Sequence, residues 1–159
     1  MIVDFCIREA TKSDSHSIAV LTDKLCKNQL SNDKYFSRSL LFPKASEDII
    51  VNHIENQKWC IYVAEKDSTV VGYVEAFYQP KDYYFFHDDY VYLLNMYVEK
   101  EHRSYPIMRE LLGSVEAFAK NNNVKYIGAD VFEHNSKIYK ALEYCHYFTY
   151  RRRFIKELK

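Results

Sequence analysis

The chain has 159 residues, 48% of them hydrophobic and 28% charged, and its formal net charge is zero. That length suits one domain over residues 1–159 with a core that needs no staples, and the composition excludes a disordered chain. Neutrality supplies no global field for nucleic acid or for an anionic membrane surface.

The N-terminus, MIVDFCIREA, has no basic n-region and no long apolar run, so neither a signal peptide nor a membrane span is expected. Phe5–Arg8 alternates apolar and polar residues as a short strand. Thr11-Lys-Ser-Asp14 then signals a helix start, with Thr11 or Ser13 as N-cap and Asp14 in the first turn. Ile18, Leu21 and Leu25 keep a helical period to about Asn28. Ser31–Phe42 reads as a second helix or helical loop ended by Pro43, and Ser46-Glu-Asp starts another helix with Ile49, Ile50, His53 and Ile54 on one face. Trp59–Glu65 and Val70–Tyr78 flank Lys66-Asp-Ser-Thr69, the pattern of an antiparallel hairpin. Gln79-Pro-Lys-Asp82 breaks the second of these strands, and Tyr83–Asp89 is an aromatic, acidic loop.

Tyr90–Val98 is the central strand, and a helix from about Pro106 to Lys120 carries Ile107, Leu111, Leu112, Val115 and Phe118 on one stripe. A strand running into a helix start presents backbone amides and the positive end of a dipole, a local anion site. Tyr126–Phe132 reads as a strand, Ser136–Tyr144 as a short helix and Tyr147–Ile155 as a last strand. The order β-α-α-β-β-β-α-β-α-β predicts an α/β (α+β) fold with helices flanking a mixed central sheet. An antiparallel N-terminal meander precedes a parallel central pair, Tyr90–Val98 with Tyr126–Phe132.

Cys6, Cys26, Cys60 and Cys145 are far apart with no CxxC pair, and the six histidines show no metal spacing. Reduced thiols in a cytoplasmic protein and no bound metal are therefore expected. Arg151-Arg-Arg153 reads as a solvated edge strand rather than a nucleic-acid patch, since Arg152 would face opposite to its neighbours.

These elements and motifs resemble the GNAT superfamily, the acetyl-CoA-dependent N-acetyltransferases. The resemblance rests on Phe5-Cys-Ile-Arg-Glu-Ala-Thr-x-x-Asp14, Val71-Gly-Tyr-Val-Glu75, Leu94-Asn-Met-Tyr-Val98 followed by Glu101-His-Arg103, Val124-Lys-Tyr-Ile127, the Asn135 after Phe132, and Leu142-Glu-Tyr-Cys-His-Tyr147. It implies an acyl-CoA N-acyltransferase fold and transfer of acetyl from acetyl-CoA to a primary amine, on a small molecule or on a peptide or protein. It further implies a cofactor site at Met96, Tyr97, Val98, Arg103, Ser104, Tyr105, Ile107, Met108 and Asn135. Backbone groups near Met96 and Val98 would meet the pantetheine arm, and an amide near Met96 or Tyr97 would polarise the thioester.

Three departures bear on chemistry. The small residues usual in the cofactor loop are replaced by Pro106 and Met108; the former removes an amide donor and the latter adds bulk. Leu142 stands where many members carry a Tyr thought to protonate the thiolate, leaving Tyr139 and Tyr144 as the nearby hydroxyls. Near Tyr92 the family often has a Glu acting as base; here the carboxylates at hand are Glu75, Asp88 and Asp89. Glu75 is accordingly the candidate base, either facing a cleft or pairing across the sheet in solvent. Asp88, Asp89 and Tyr92 are the candidate amine-binding groups, through charge and cation–π attraction. The loop that holds the two aspartates reads equally as solvated or as a homodimer contact. The competing reading is a GNAT-fold module that has lost catalysis and binds a partner.

Overall fold

A computed structural model describes residues 4–35, 43–82 and 88–158. The expected helical stretch over 36–42 and the aromatic run over 83–87 lie outside the described residues.

Strand β1 (Cys6–Glu9) leads through a 3-10 turn (Lys12–Asp14) into α1 (Ser15–Asn32). The opening motif explains itself here. Asp14 takes both terminal nitrogens of Arg8 at 2.8 and 2.9 Å and the Thr11 amide at 2.7 Å, closing a capping box. Arg8 also reaches Glu65 at 2.6 Å, so one guanidinium ties β1 to the helix start and to the next strand. That guanidinium holds the Asp14 carboxyl at about 2.

α1 continues to Asn32 rather than stopping near Asn28. In that added turn Ser31 and Asn32 back-bond to the carbonyls of Lys27 and Asn28, at 2.9 and 2.8 Å. α2 (Pro43–Glu55) begins at Pro43 instead of at Ser46. Proline opens this helix rather than closing the previous one, because its fixed φ and missing N–H are harmless in a first turn.

β2 (Trp59–Lys66) and β3 (Thr69–Gln79) form the expected hairpin. The turn tightens to two residues, Asp67 and Ser68, with φ of 48° and 60°. Two left-handed residues make the turn whose twist matches antiparallel strands. β4 (Tyr90–Val98) pairs antiparallel with β3, and β5 (Tyr126–Ala129) pairs parallel with β4, in sheet order β1-β2-β3-β4-β5. Gly72 on β3 leaves room for β4: a Cβ there would meet a Val98 methyl at 2.9 Å and the Tyr97 carbonyl at 3.0 Å. α3 (Tyr105–Asn121) and α4 (Ser136–Tyr144) follow.

The two sheet faces carry separate cores. Ile18, Ala19 and Leu21 of α1 and Ile50 of α2 pack on Ile61, Val63 and Tyr73. Ile107, Leu111, Leu112 and Val115 of α3 and Leu142 of α4 pack on Ala64, Val74, Ala76, Val91 and Leu93. Alternation along each strand divides the residues between the faces, as the period of a pleated strand requires. Among the described residues no helix is long and apolar enough to cross a membrane.

The expected last strand is absent. Residues 147–158 have no regular structure, with Phe148 83% and Phe154 88% exposed, so Arg151–Arg153 lie on no edge strand. β5 also stops at Ala129 instead of Phe132. An alternating pattern makes a strand only when another backbone pairs with it, and β5 pairs over just four residues.

Candidate active site

β4 is irregular at its middle. Glu75 pairs with Asn95 but Ala76 pairs with Leu93, so Leu94 is an extra residue without an opposite number on β3. The ladder to β5 ends at the same place, at Leu93 opposite Ala129, although β4 continues to Val98. A bulge of this kind bends the strand and re-aims its side chains. Beyond it β4 and the chain after β5 diverge around a cavity of about 100 Å³. Leu94, Asn95 and Met96 form one wall, Ala129 to Phe132 the other; α4 closes one side with Asn135, Ile138 and Leu142, and α1 the other with Leu25 and Gln29.

Glu75 lies behind Asn95. It is 4% exposed, a buried carboxylate, and both its oxygens are engaged. His53 Nδ1 meets Oε1 at 2.6 Å, and Asn95 Nδ2 donates to Oε2 at 2.8 Å. Its neighbours in sequence alternate between faces, and its parity with Tyr73 turns it toward α1 and α2 rather than to solvent. His53 stacks on Trp59 with ring centroids 3.4 Å apart. An aromatic row continues across the sheet from Trp59 to Phe77 at 4.5 Å and to Tyr92 at 5.4 Å. The Tyr92 hydroxyl donates to Asp130 at 3.0 Å, and burial pushes that phenol up to about 12.

The remaining acidic candidates sit differently. Asp89 accepts from the Tyr78 hydroxyl and, at 2.9 Å, from the Lys81 amide. These bonds hold its carboxyl below the usual range and close the Gln79–Tyr90 connection. Asp88 is exposed. Tyr92 therefore meets Asp130, a residue the sequence reading did not single out. The one signal for Asp130 was its position just past the carboxyl end of a parallel strand, where α/β folds bind ligands.

The loop before α3 has another character. Arg103 donates from Nε to the Val98 carbonyl at 2.8 Å and covers the Tyr97 ring, tying the loop to the end of β4. Ser104 occupies the N-cap in extended conformation, and its carbonyl accepts the Met108 amide at 3.3 Å, the first bond of the helix. Among the described residues the Tyr105 and Ile107 amides have no carbonyl partner. The Ile107 side chain is buried, and Met108 packs against the core. The bulk that set Met108 apart from the family pattern is thus turned inward, away from the loop's outer surface.

Of the hydroxyl candidates, Tyr139 bonds to the Val131 carbonyl at 3.4 Å, and Tyr144, 66% exposed, meets the Tyr105 ring edge-on at 4.3 Å. The cavity beside β4 is lined by Leu142 and by neither tyrosine. Met96 and Asn135 line it directly. The structure thus gathers Glu75, Met96, Asn135 and Tyr92 around the β4 divergence. Tyr105 and Tyr144 border a second depression, about 180 Å³, at the α3–α4 end. His53, Asn95, Gln29 and Asp130 were not read from sequence. His53 looked like one more position on an α2 face, and only the fold sets it over Trp59.

The family model for the acetyltransferase (GNAT) family matches residues 28–147. No curated protein matches the sequence. Among solved structures, the aminoglycoside N-acetyltransferase AAC(6')-Iy in complex with CoA superimposes with a TM-score of 0.81 at 13% identity, covering 98% of this chain and 95% of that one. A tetramutant of the BH1408 protein from Bacillus halodurans gives 0.83 at 17% identity, covering 96% and 99%. An aminoglycoside acetyltransferase from an uncultured soil metagenomic sample, in complex with trehalose, gives 0.70 at 13% identity, covering 98% and 97%. At these identities the structural likeness is one of fold; the match of the family model over most of the sequence goes further. A mixed five-stranded sheet whose parallel pair parts at a bulge, together with that match, identifies the chain as a member of the GNAT acetyltransferase family.

Proposed function

We propose that the protein moves an acetyl group from acetyl-CoA to a primary amine by direct attack in a ternary complex. The observation that carries this reading is the cavity at the β4 bulge, which is lined from both sheet faces. Asn135, Ile138 and Leu142 line it on the face of α3 and α4; Gln29 and Asn95, with Glu75 behind, line it on the face of α1 and α2. Two substrates approaching from opposite faces would meet at Leu94–Met96.

The residues on the α3 face suit acetyl-CoA. The Tyr105 and Ile107 amides, without a carbonyl partner among the described residues, begin a helix, a setting that favours a pyrophosphate. Beyond Leu93 the edge of β4 turned away from β3 pairs with no strand among the described residues, so its backbone can pair with an extended amide chain and can polarise a thioester carbonyl.

On the opposite face Glu75 is the base. Each carboxylate oxygen has two acceptor positions, so the bonds to His53 and Asn95 leave room for a further donor. The amine nitrogen bonds to the acetyl carbon as the carbon–sulfur bond breaks. Its proton passes to Glu75, directly or through a water, and the departing thiolate takes a proton from solvent because Leu142 has none to give. A thioester is already reactive toward an oriented amine, so positioning supplies much of the rate.

Acetyl-CoA should raise the melting temperature in a concentration-dependent way. An amine panel followed by thiol release should then show turnover. The absence of any shift at millimolar acetyl-CoA overturns the proposal. Leu142 in the cavity also favours a second reading, a binding module without catalysis. Acetyl-CoA binding with no turnover on any amine would select it.

A further inference from the structure

Gln29 is the one described cavity-lining residue whose buried side chain has an orphaned polar atom. It is 8% exposed, and its Oε1 is sealed from water without a hydrogen-bond partner. Leaving a buried carbonyl oxygen unpaired is unfavourable, and such groups are rare enough to need a reason. The neighbouring α1 polar groups are satisfied within the chain: Thr22 bonds to the Ile18 carbonyl and to the Tyr73 hydroxyl, both at 2.8 Å. Gln29 therefore stands out on its own helix.

Its place in the fold says which substrate it faces. α1 packs on the Tyr73 side of the sheet, the side that also carries Glu75, while α3 and α4 pack on the other. Within the cavity Gln29 and Leu25 come from the α1 side, opposite Ile138 and Leu142. Asn95 lies between Glu75 and the cavity: its Nδ2 is committed to Glu75, which leaves Oδ1 as an acceptor. Asp130 stands on the far wall, held by Tyr92. Gln29, Asn95 and Asp130 thus place polar side chains among the apolar residues of the cavity, with Asn135 on the side of α4.

Resting on the acetyl-transfer reading, we infer that Gln29 is a specificity residue for the acceptor, and that the acceptor is an amine bearing a hydroxyl or second amino group close to the reacting nitrogen. That group hydrogen-bonds the Gln29 carboxamide, whose terminal torsion turns to bring Oε1 out of its buried position to meet it. A half-turn of the terminal torsion exchanges Oε1 and Nε2 at little expense, and a hydroxyl satisfies either end. A simple alkylamine leaves the carboxamide unpaired and reacts more slowly. A site built to hydrogen-bond a substrate group discriminates strongly against analogues that lack it.

The test uses the full chain as wild type, Gln29→Met and Gln29→Glu. Matched amines are compared with acetyl-CoA as donor: glucosamine with cyclohexylamine, ethanolamine with propylamine, and spermidine with hexylamine. Wild type should prefer the polar member of a pair in kcat/KM. Gln29→Met should lower that preference about tenfold through KM, the effect of one hydrogen bond. Acetyl-CoA affinity, read by calorimetry, should stay within about twofold, the scatter of an uninvolved site. Gln29→Glu should restore preference for the diamine over its alkyl partner. Equal preference in wild type and Gln29→Met overturns the inference, as does a parallel loss of acetyl-CoA affinity, which would assign Gln29 to the other substrate. A wild type that binds acetyl-CoA but acetylates none of the polar amines overturns it and leaves the cofactor reading intact. A wild type that does not bind acetyl-CoA overturns both.

Discussion

The two sides of the β4 cavity are built on different principles. On the α1–α2 side, charge is buried and every bond is specific: Glu75 is held by His53 and Asn95, and His53 is held flat on Trp59. On the α3 side, the approach consists of backbone amides and an exposed loop tied to the end of β4 by Arg103 through the Val98 carbonyl. Side-chain chemistry is therefore sensitive to single substitutions on the first side. Backbone recognition on the second tolerates replacement of side chains, so Pro106 and Met108 can depart from the family pattern without removing the helix start. Arg8–Asp14–Glu65 gives a third point of reference, a carboxylate cluster with a structural role alone.

The largest expected effect lies on the buried side. Glu75→Gln keeps the volume and removes the proposed base, and thiol release should fall by about 100-fold or more, as for a general base. Acetyl-CoA affinity should not change. A wild-type rate in this variant would remove Glu75 from the mechanism.

Asp14→Ala should do the reverse, leaving kcat alone and destabilising the fold by roughly 2 kcal/mol through loss of the Arg8 clamp and cap. The folded-state pKa of Asp14 is about 2, below its ordinary 3.8. Ionised Asp14 thus stabilises the fold above about pH 4, and that contribution disappears as the pH falls through about 2. Acid denaturation followed by circular dichroism should show wild type and variant converging over that window. Variants that stay equally far apart down to pH 2 would count against the clamp.

His53→Phe preserves a flat ring on Trp59 but breaks the bond to Glu75. A rate about tenfold lower is expected, together with a lower melting temperature, because a buried Glu75 oxygen loses its charge-assisted hydrogen bond. If stability falls and the rate does not, His53 is a packing residue. The smallest effect belongs to the loop: Pro106→Ala restores one amide and should tighten acetyl-CoA about fivefold, the worth of one hydrogen bond. A weaker complex would mean that the fixed φ of proline matters more than the missing donor.

Much of the fold was legible because it depends on local pattern. The hairpin, β4, α3 and α4 follow from alternation, helical period and caps, and the final bounds differ from the expected ones by at most about one residue. Errors came where a pattern needed a neighbour. Tyr147–Ile155 alternates like a strand yet has no backbone beside it. Pro43 was read as a stop because its effect depends on which side the helix lies. His146 occupies a left-handed position, φ 64°, that ordinarily favours Gly; only the bond from the Tyr147 amide to the Leu142 carbonyl reveals that the helix ends in this way.

The candidate site was legible by half. Glu75, left open between a cleft and solvent, and Met96 and Asn135, named through the resemblance, were at least singled out beforehand. Gln29, His53, Asn95 and Asp130 were not, since they come from four elements and share no spacing. The amino-acid sequence by itself determined the elements, the strand parities and the family, because each depends on contacts between near neighbours or on motif order. Only the tertiary structure decided that Leu94 is a bulge, that β4 and β5 part there, and that Met108 turns inward. Those outcomes depend on how strands register and helices pack across the sheet, which no stretch of the chain specifies alone.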